Sequence, residues 1–240
     1  MRESTPARET RPNVPMTPQF RHVAEQDAPR GWHVVVCSKP LGVAKSRLAG
    51  AGASGRVALT LAMVEDVLTA ATATPCVQRT TLVTACPELA AVARARGAGV
   101  VPDPGNGLNA AFRSGAADAG GKYWTAYLPG DLPCLSPELL SAALIRMAAH
   151  PLSVIADRTG GGTTMLTAAP DETASLRFGR GSFSRHLASG AREVTPPRAE
   201  LACDVDSLAD LWNAVGYGVG RATRAAIREL SPERYSETAP

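Results

Sequence analysis

From Trp32 onward, short runs of β-branched apolar residues alternate with longer alanine-rich segments, the pattern of strands and crossover helices around a mostly parallel sheet. The first strand is predicted at His33–Cys37, HVVVC. Val57, Leu61, Val64 and Leu68 then recur at i, i+4, i+7 and i+11, which predicts a helix with one apolar stripe against the sheet and Ser54 as its cap. A second strand is expected at Thr80–Thr84, a helix at Pro87–Arg96 with proline in its first turn, and a short strand at Gly99–Val101. Turn residues in DPGNG give way to a helical run beginning near Leu108. Tyr123–Leu128 reads as a central strand, and Ser136 is positioned to cap the helix that follows. Ser153–Ala156 and Thr163–Thr167 read as two more strands joined by DRTGGG. Beyond them, RFGRGSFSRHL is a loop entering a short helix, CDVDSLADL is a strand end running into a helix that Ser207 caps, and a last helix spans Gly220–Leu230.

This is the signature of a single α/β Rossmann-like domain, and 240 residues with 45% apolar content suffice for its core. The expected organisation is a disordered N-terminal extension over residues 1–30, a domain over 31–230 and a polar tail over 231–240. The first segment carries five prolines and mixed charges but no apolar stretch of the kind a secretory signal needs. The longest apolar helix candidate, Val57 to Leu68, is interrupted by Glu65 and Asp66, so no membrane span is expected. A net charge of +3, with the basic residues scattered, argues against nucleic acid and suits a small anionic ligand. Cys37, Cys76, Cys86, Cys134 and Cys203 form no CxxC pair, which points to reduced thiols in the cytoplasm rather than to a zinc knuckle or a disulfide framework.

Ligands of open parallel sheets sit outside the carboxyl ends of the strands, and the chemistry-bearing loops of this chain fall there. Lys39, Lys45 and Arg47 follow the first strand within nine residues and can converge on phosphate oxygens; standing alone they would read as a solvated basic loop. Asp131 follows an apolar strand between Gly130 and Pro133, where a carboxylate can hold Mg²⁺, although a turn aspartate is the plainer alternative. Asp204 and Asp206, one residue apart, share a side if their segment is extended; DVDS is otherwise a capping turn. GNGLNAA offers a helix start and Asn109 to an anion or a base edge, and Thr163 after GGG and Ser182 after RFGRG resemble anion-holding loops. The four histidines show no ligand spacing and are expected in surface or packing roles. No GxSxG elbow, Walker loop or GxGxxG opening a first helix is present, against a hydrolase, a P-loop enzyme or a dinucleotide-binding oxidoreductase.

Taken in order, KPLGVAKSRLA, GLNAA, LPGDLP, ADRTGGGT, RFGRGS and CDVDSLADL closely resemble the 2-phospho-L-lactate or phosphoenolpyruvate guanylyltransferase family of deazaflavin coenzyme biosynthesis. The resemblance spans about His33 to Arg228. It implies a fold similar to the nucleotide-diphospho-sugar transferases, GTP as donor, pyrophosphate as leaving group and a small phosphorylated acid as acceptor. That acid is phosphoenolpyruvate or 2-phospho-L-lactate, with 3-phosphoglycerate also open. By the same resemblance Asp131, Asp204 and Asp206 hold Mg²⁺, and Asp131, Lys45 and Asp204 carry the catalysis. Thr163, Gly179 and Ser182 hold the acid, Lys39, Lys45 and Arg47 attend the GTP phosphates, and Asn109 attends the nucleotide. The labile product would pass directly to the next biosynthetic enzyme. Arg180 in RFGRGS and the additional glycine in ADRTGGGT depart from the family pattern. Two rival readings stay open: a nucleotidyltransferase of the same fold acting on a sugar phosphate or a molybdopterin-type cofactor, and a non-catalytic nucleotide-binding module.

Overall fold

The computed structural model describes residues 31–38, 52–170 and 172–230. Lys39, Lys45 and Arg47, the expected extension and the tail lie outside the described residues. In chain order the elements are β1 (Trp32–Cys37), α1 (Gly52–Ala73), β2 (Val77–Val83), α2 (Pro87–Ala95), β3 (Gly99–Val101), α3 (Leu108–Ala117) and β4 (Trp124–Pro129). There follow α4 (Pro137–Met147), β5 (Leu152–Ala156), β6 (Thr163–Ala168), α5 (Ser182–Ala188), β7 (Arg192–Glu193), a 3₁₀ turn at Ala199–Ala202, α6 (Leu208–Tyr217) and α7 (Arg221–Leu230). One sheet runs in the order β3-β2-β1-β4-β6-β5-β7. β1 pairs parallel with β2 and β4, β2 with β3 and β5 with β7, while β6 runs antiparallel to β4 and to β5. The reversal matters for the site. It puts Thr163, the first residue of β6, on the edge where β4 and β5 end.

The central position of β1 explains its uninterrupted apolar run, because a strand covered on both faces has no polar side. Val34 and Val36 pack beneath Val64, Val67 and Leu68 of α1, Leu89 of α2 and Leu140 of α4. Val35 and Cys37 face Phe112 of α3, Tyr127 and Phe178 on the other side. His33 is tolerated in this strand because its Nε2 lies 2.9 Å from Thr81 Oγ1, and burial depresses its pKa to about 4, so the ring stays neutral. Two of the three predicted caps form: Ser136 accepts from Leu139 N, and Ser207 and Asp210 make a reciprocal capping box.

Three expectations change. The helix after the basic loop begins at Gly52, so Ser54 lies inside its first turn rather than capping it. That helix also buries more than one stripe: Leu59 and Met63 pack on Leu211, Val215 and Ile227 of α6 and α7, which cover it from outside the sheet. The buried Asp66 carboxylate accepts from Ala222 N at 3.0 Å and Thr223 N at 2.8 Å, anchoring the start of α7. Lastly, CDVD is not the end of a strand. Cys203 and Val205 are buried and Asp204 and Asp206 are not, which is strand-like alternation, but β7 already occupies the β5 edge and the segment follows the 3₁₀ turn without a ladder. β7 itself, two exposed polar residues, carries no apolar signal in the sequence. All five cysteines are free, and no helix among the described residues is long and apolar enough to cross a membrane.

α3 approaches the sheet closely at Gly115, where an added Cβ would stand 2.4 Å from Val35 Cγ1 and 2.7 Å from Val83 Cγ2. Both valines are buried and β-branched, so neither can swing aside. Gly115→Ala gains up to about 1 kcal/mol of helix propensity. Overpacking of this kind costs about 1–3 kcal/mol, so the net expectation is destabilisation by about 1 kcal/mol, read as a lower urea midpoint. An unchanged or higher midpoint would mean that α3 stands further from the sheet.

Candidate active site

At the carboxyl edge β4 runs into Gly130 and Asp131. Gly130 N donates to Cys37 O at 2.9 Å, and a Cβ there would meet Val64 Cγ2 at 2.9 Å, so glycine lets the strand end close down on β1 and α1. Asp131 O accepts from Val205 N at 3.1 Å. That bond docks the CDVD segment beside the strand end, bringing together residues more than 70 positions apart in sequence. Asp204 is the electrostatic centre of the result. Burial first, then the charges of Asp131, Asp206 and Asp157, push its pKa up to about 6.

Asp157 is the member that sequence reasoning missed. It stands directly after β5 as Asp131 stands after β4, so the same strand-end rule applied to ADRTGGGT would have found it. Its Oδ1 accepts from Thr159 N, Thr159 Oγ1 and Gly161 N at 2.9 to 3.1 Å, folding the hairpin tip around one carboxylate. Gly162 is required beside it, since a Cβ there would stand 2.2 Å from Asp157 Oδ2. Arg158 joins the tip to the CDVD segment, donating from its backbone to Ala202 O at 3.1 Å and from its guanidinium to Asp210 at 2.6 Å.

The same hairpin leads to a second cluster. Thr163 Oγ1 lies 2.9 Å from His186 Nδ1 and 3.0 Å from Ser182 Oγ. His186 Nε2 accepts from Arg177 N at 3.0 Å, and burial, with Arg185 and Arg177 nearby, holds its pKa down to about 4. The RFGRG loop between them turns at Gly179 (φ 119°) and Gly181 (φ 69°), left-handed positions that only glycine adopts without strain. Arg185 ties the loop from outside, donating to Arg180 O and Arg177 O. Asn109, at the start of α3, accepts from Phe178 N at 2.8 Å and donates to Phe178 O at 3.2 Å, and the Phe178 ring lies between Phe112 and His186.

Of the residues singled out from the sequence, then, Asp131, Asp204 and Asp206 share one electrostatic neighbourhood. Thr163 and Ser182 bond directly, with Ser182 N donating to Gly179 O at 2.9 Å. Asn109 is tied to this loop through Phe178. His186, expected in a surface or packing role, is instead a buried hydrogen-bonded hub that no spacing signal announced.

A family model described as "Guanylyl transferase CofC like" matches residues 32–237. The chain belongs to this family. Among the curated relatives of this CofC-like chain, a phosphoenolpyruvate guanylyltransferase of Streptomyces scabiei (strain 87.22) is 43% identical over 209 residues, covering 83% of this chain and 97% of the relative. One of Salinispora arenicola (strain CNS-205) is 43% identical over 205 residues, covering 84% and 95%. Among solved structures, a candidate nucleotide-diphospho-sugar transferase from Desulfovibrio desulfuricans G20 superposes with a TM-score of 0.63 at 15% identity, over 87% of this chain and 98% of that one. A 4-diphosphocytidyl-2C-methyl-D-erythritol synthase gives 0.54 at 13%, over 77% and 97%. The structural likenesses agree with an α/β fold. The family is one of nucleotidyltransferases, and this chain is an enzyme of that class.

The donor set of the acidic cluster consists of carboxylate oxygens, which suits a hard divalent cation. Among the described residues no group of three or more His, Cys, Asp or Glu side chains closes on a point in the manner of an all-protein metal cage. Mg²⁺ does not ask for one: it takes one or two carboxylates and fills its octahedron with water and substrate phosphates. A partly buried carboxylate crowded by three others is the environment that such a cation would relieve.

Two bonds hold Phe178 to Asn109, so Asn109→Ala should speed hydrogen exchange at the Phe178 amide by about tenfold or more, at about 1 kcal/mol for each bond lost. Unchanged exchange would mean that the loop is held by Arg185 and His186 alone.

Proposed function

We propose that this chain transfers GMP from GTP to the phosphate of phosphoenolpyruvate, releasing pyrophosphate, as a cytoplasmic step in biosynthesis of the deazaflavin coenzyme. 2-Phospho-L-lactate and 3-phosphoglycerate are the alternative acceptors. The observation that carries the reading is the partly buried Asp204 among Asp131, Asp206 and Asp157, with the Thr163–Ser182 pair at the other end of the same hairpin. The relatives, phosphoenolpyruvate guanylyltransferases, support a guanylyl donor and this class of acceptor.

The acceptor's phosphate oxygen attacks the α-phosphorus of GTP in line, and catalysis lies in positioning and charge rather than in a side-chain nucleophile. Asp131, Asp204 and Asp206 hold Mg²⁺, which supplies neutralisation of the phosphate oxygens. Lys39, Lys45 and Arg47 meet the triphosphate, with Lys45 opposing the charge that builds on pyrophosphate. Thr163, Gly179 and Ser182 hold the acid. Asn109 attends the nucleotide from the start of α3, the helix end that its amide also ties to Phe178. The product joins the acid phosphate to GMP in a labile anhydride, which favours direct hand-over to the next enzyme.

Incubating the full chain with Mg²⁺, GTP and each acid in turn, then weighing the products, should give the guanylylated acid and pyrophosphate. CTP or ATP as the working donor, or a sugar phosphate as the working acceptor, would replace this reading with another transfer on the same fold. Asp131→Ala and Asp204→Ala should each cut turnover by at least about a hundredfold with an unchanged urea midpoint, since half-exposed loop carboxylates contribute little to the core. Near-normal rates would remove that carboxylate from the mechanism. Residues 1–30 precede the segment that the family model matches. Their deletion should leave kcat and KM within about twofold of the full chain, within the error of a transition-state change of about 0.4 kcal/mol; a larger loss would give the segment a part in the site.

A further inference from the structure

The Thr163–Ser182–His186 cluster has a hydrogen-bond polarity imposed from inside the protein. Arg177 N has only a proton to give, so His186 Nε2, 3.0 Å away, must present its lone pair. The ring is wholly buried and neutral, so its single proton sits on Nδ1 and is donated to Thr163 Oγ1 at 2.9 Å. Ser182 Oγ lies 3.0 Å from the same oxygen. Three protons are then available, on Nδ1 and on two hydroxyls, for two internal bonds. One hydroxyl proton is left over. Ser182 is 1% exposed whereas Thr163 is only partly buried at the open edge of β6, so the Ser182 proton is spent inward and the Thr163 proton faces out.

The opposite tautomer would invert this. With the proton on Nε2, Nδ1 would draw the Thr163 proton inward, Ser182 would donate to Thr163, and only lone pairs would remain to meet a ligand. Lone pairs repel an oxyanion. The backbone amide of Arg177, fixed by the Asn109–Phe178 clamp next to it and by Arg185 on the Arg177 carbonyl, therefore sets the sign of a subsite it does not touch.

We propose that His186 is a positioning residue of the acceptor subsite, whose Nδ1–H tautomer, selected by the Arg177 amide, makes the Thr163 hydroxyl an obligate donor to an anionic oxygen of the substrate. The proposal rests on the reading of Thr163 and Ser182 as acceptor-binding residues. The chemistry is common to the phosphate and the carboxylate of a phosphorylated acid, and the two are separable by competition.

The tautomer is read on the ¹⁵N-labelled full chain, without ligand, from the two imidazole nitrogen resonances of His186. A protonated, pyrrole-type Nδ1 and a pyridine-type Nε2 are expected; the reverse assignment overturns the proposal whatever the enzyme does. In turnover, His186→Phe should raise KM for the acid about tenfold while KM for GTP stays within twofold, and His186→Asn, whose amide N–H stands near the lost Nδ1–H, should recover most of the difference. An equal rise in both KM values, or no recovery in a folded His186→Asn protein, would reduce His186 to packing and overturn the proposal. Inhibition by inorganic phosphate and by pyruvate tells which anionic group meets Thr163, since His186→Phe weakens only that competitor; weakening of neither contradicts the proposal. A wild-type chain that guanylylates no acid would defeat the functional reading while leaving the tautomer assignment to be judged by its resonances.

Discussion

Several carboxylates gathered at one edge of a sheet repel one another, and the remainder of this site is built to keep them there. The raised pKa of Asp204 records that repulsion: burial and three neighbouring acids together make its charge costly. The cluster persists because the backbone, not the side chains, holds it. Val205 N on Asp131 O and Arg158 N on Ala202 O join three loops that close from different parts of the chain, while Cys203 and Val205 anchor the CDVD segment in a core shared with α1, α6 and α7. Electrostatic strain at this edge is thus offset by apolar burial elsewhere.

The hairpin between β5 and β6 connects this acidic cluster to the Thr163–Ser182–His186 cluster. Its first residue, Asp157, folds the tip, and Thr163 at its far end begins the one strand that runs against the others. Antiparallel β6 is thus more than a topological detail. A parallel strand in that place would start at the opposite edge, and its first residue would be a strand length away from the carboxylates. The loop at Arg177–Gly181 is held by Asn109, His186 and Arg185 from three directions, which suits a surface that must meet a small ligand without rearranging.

Membership of the CofC-like family places both clusters in a nucleotidyltransferase. Under the proposed reading, the carboxylates on one side and the hydroxyl pair on the other would serve the two anionic substrates of a single transfer. The polarity of the His186 network extends the same logic to single protons: in the proposal above, the orientation of one backbone amide decides whether Thr163 presents a donor or a lone pair.

What could be learned from the sequence alone was local. Alternation and helical periodicity located the helices and every strand but β7, Ser136 and Ser207 announced their caps, and six ordered motifs carried the family. These signals are legible because each depends on residues within a turn or two of one another. The second buried side of α1, the absence of a ladder at CDVD, the entry of Asp157 among the acids and the pairing of Asn109 with Phe178 69 residues away were decided by tertiary structure. Alternation of Cys203, Asp204, Val205 and Asp206 looks the same whether the buried side faces a sheet partner or a helix, so only the packed chain tells them apart. His186 is the extreme case. A histidine in a short helix carries no mark of its tautomer; that follows from which nitrogen the fold sets against an N–H and which against a hydroxyl, a matter of distances that one-dimensional spacing does not contain.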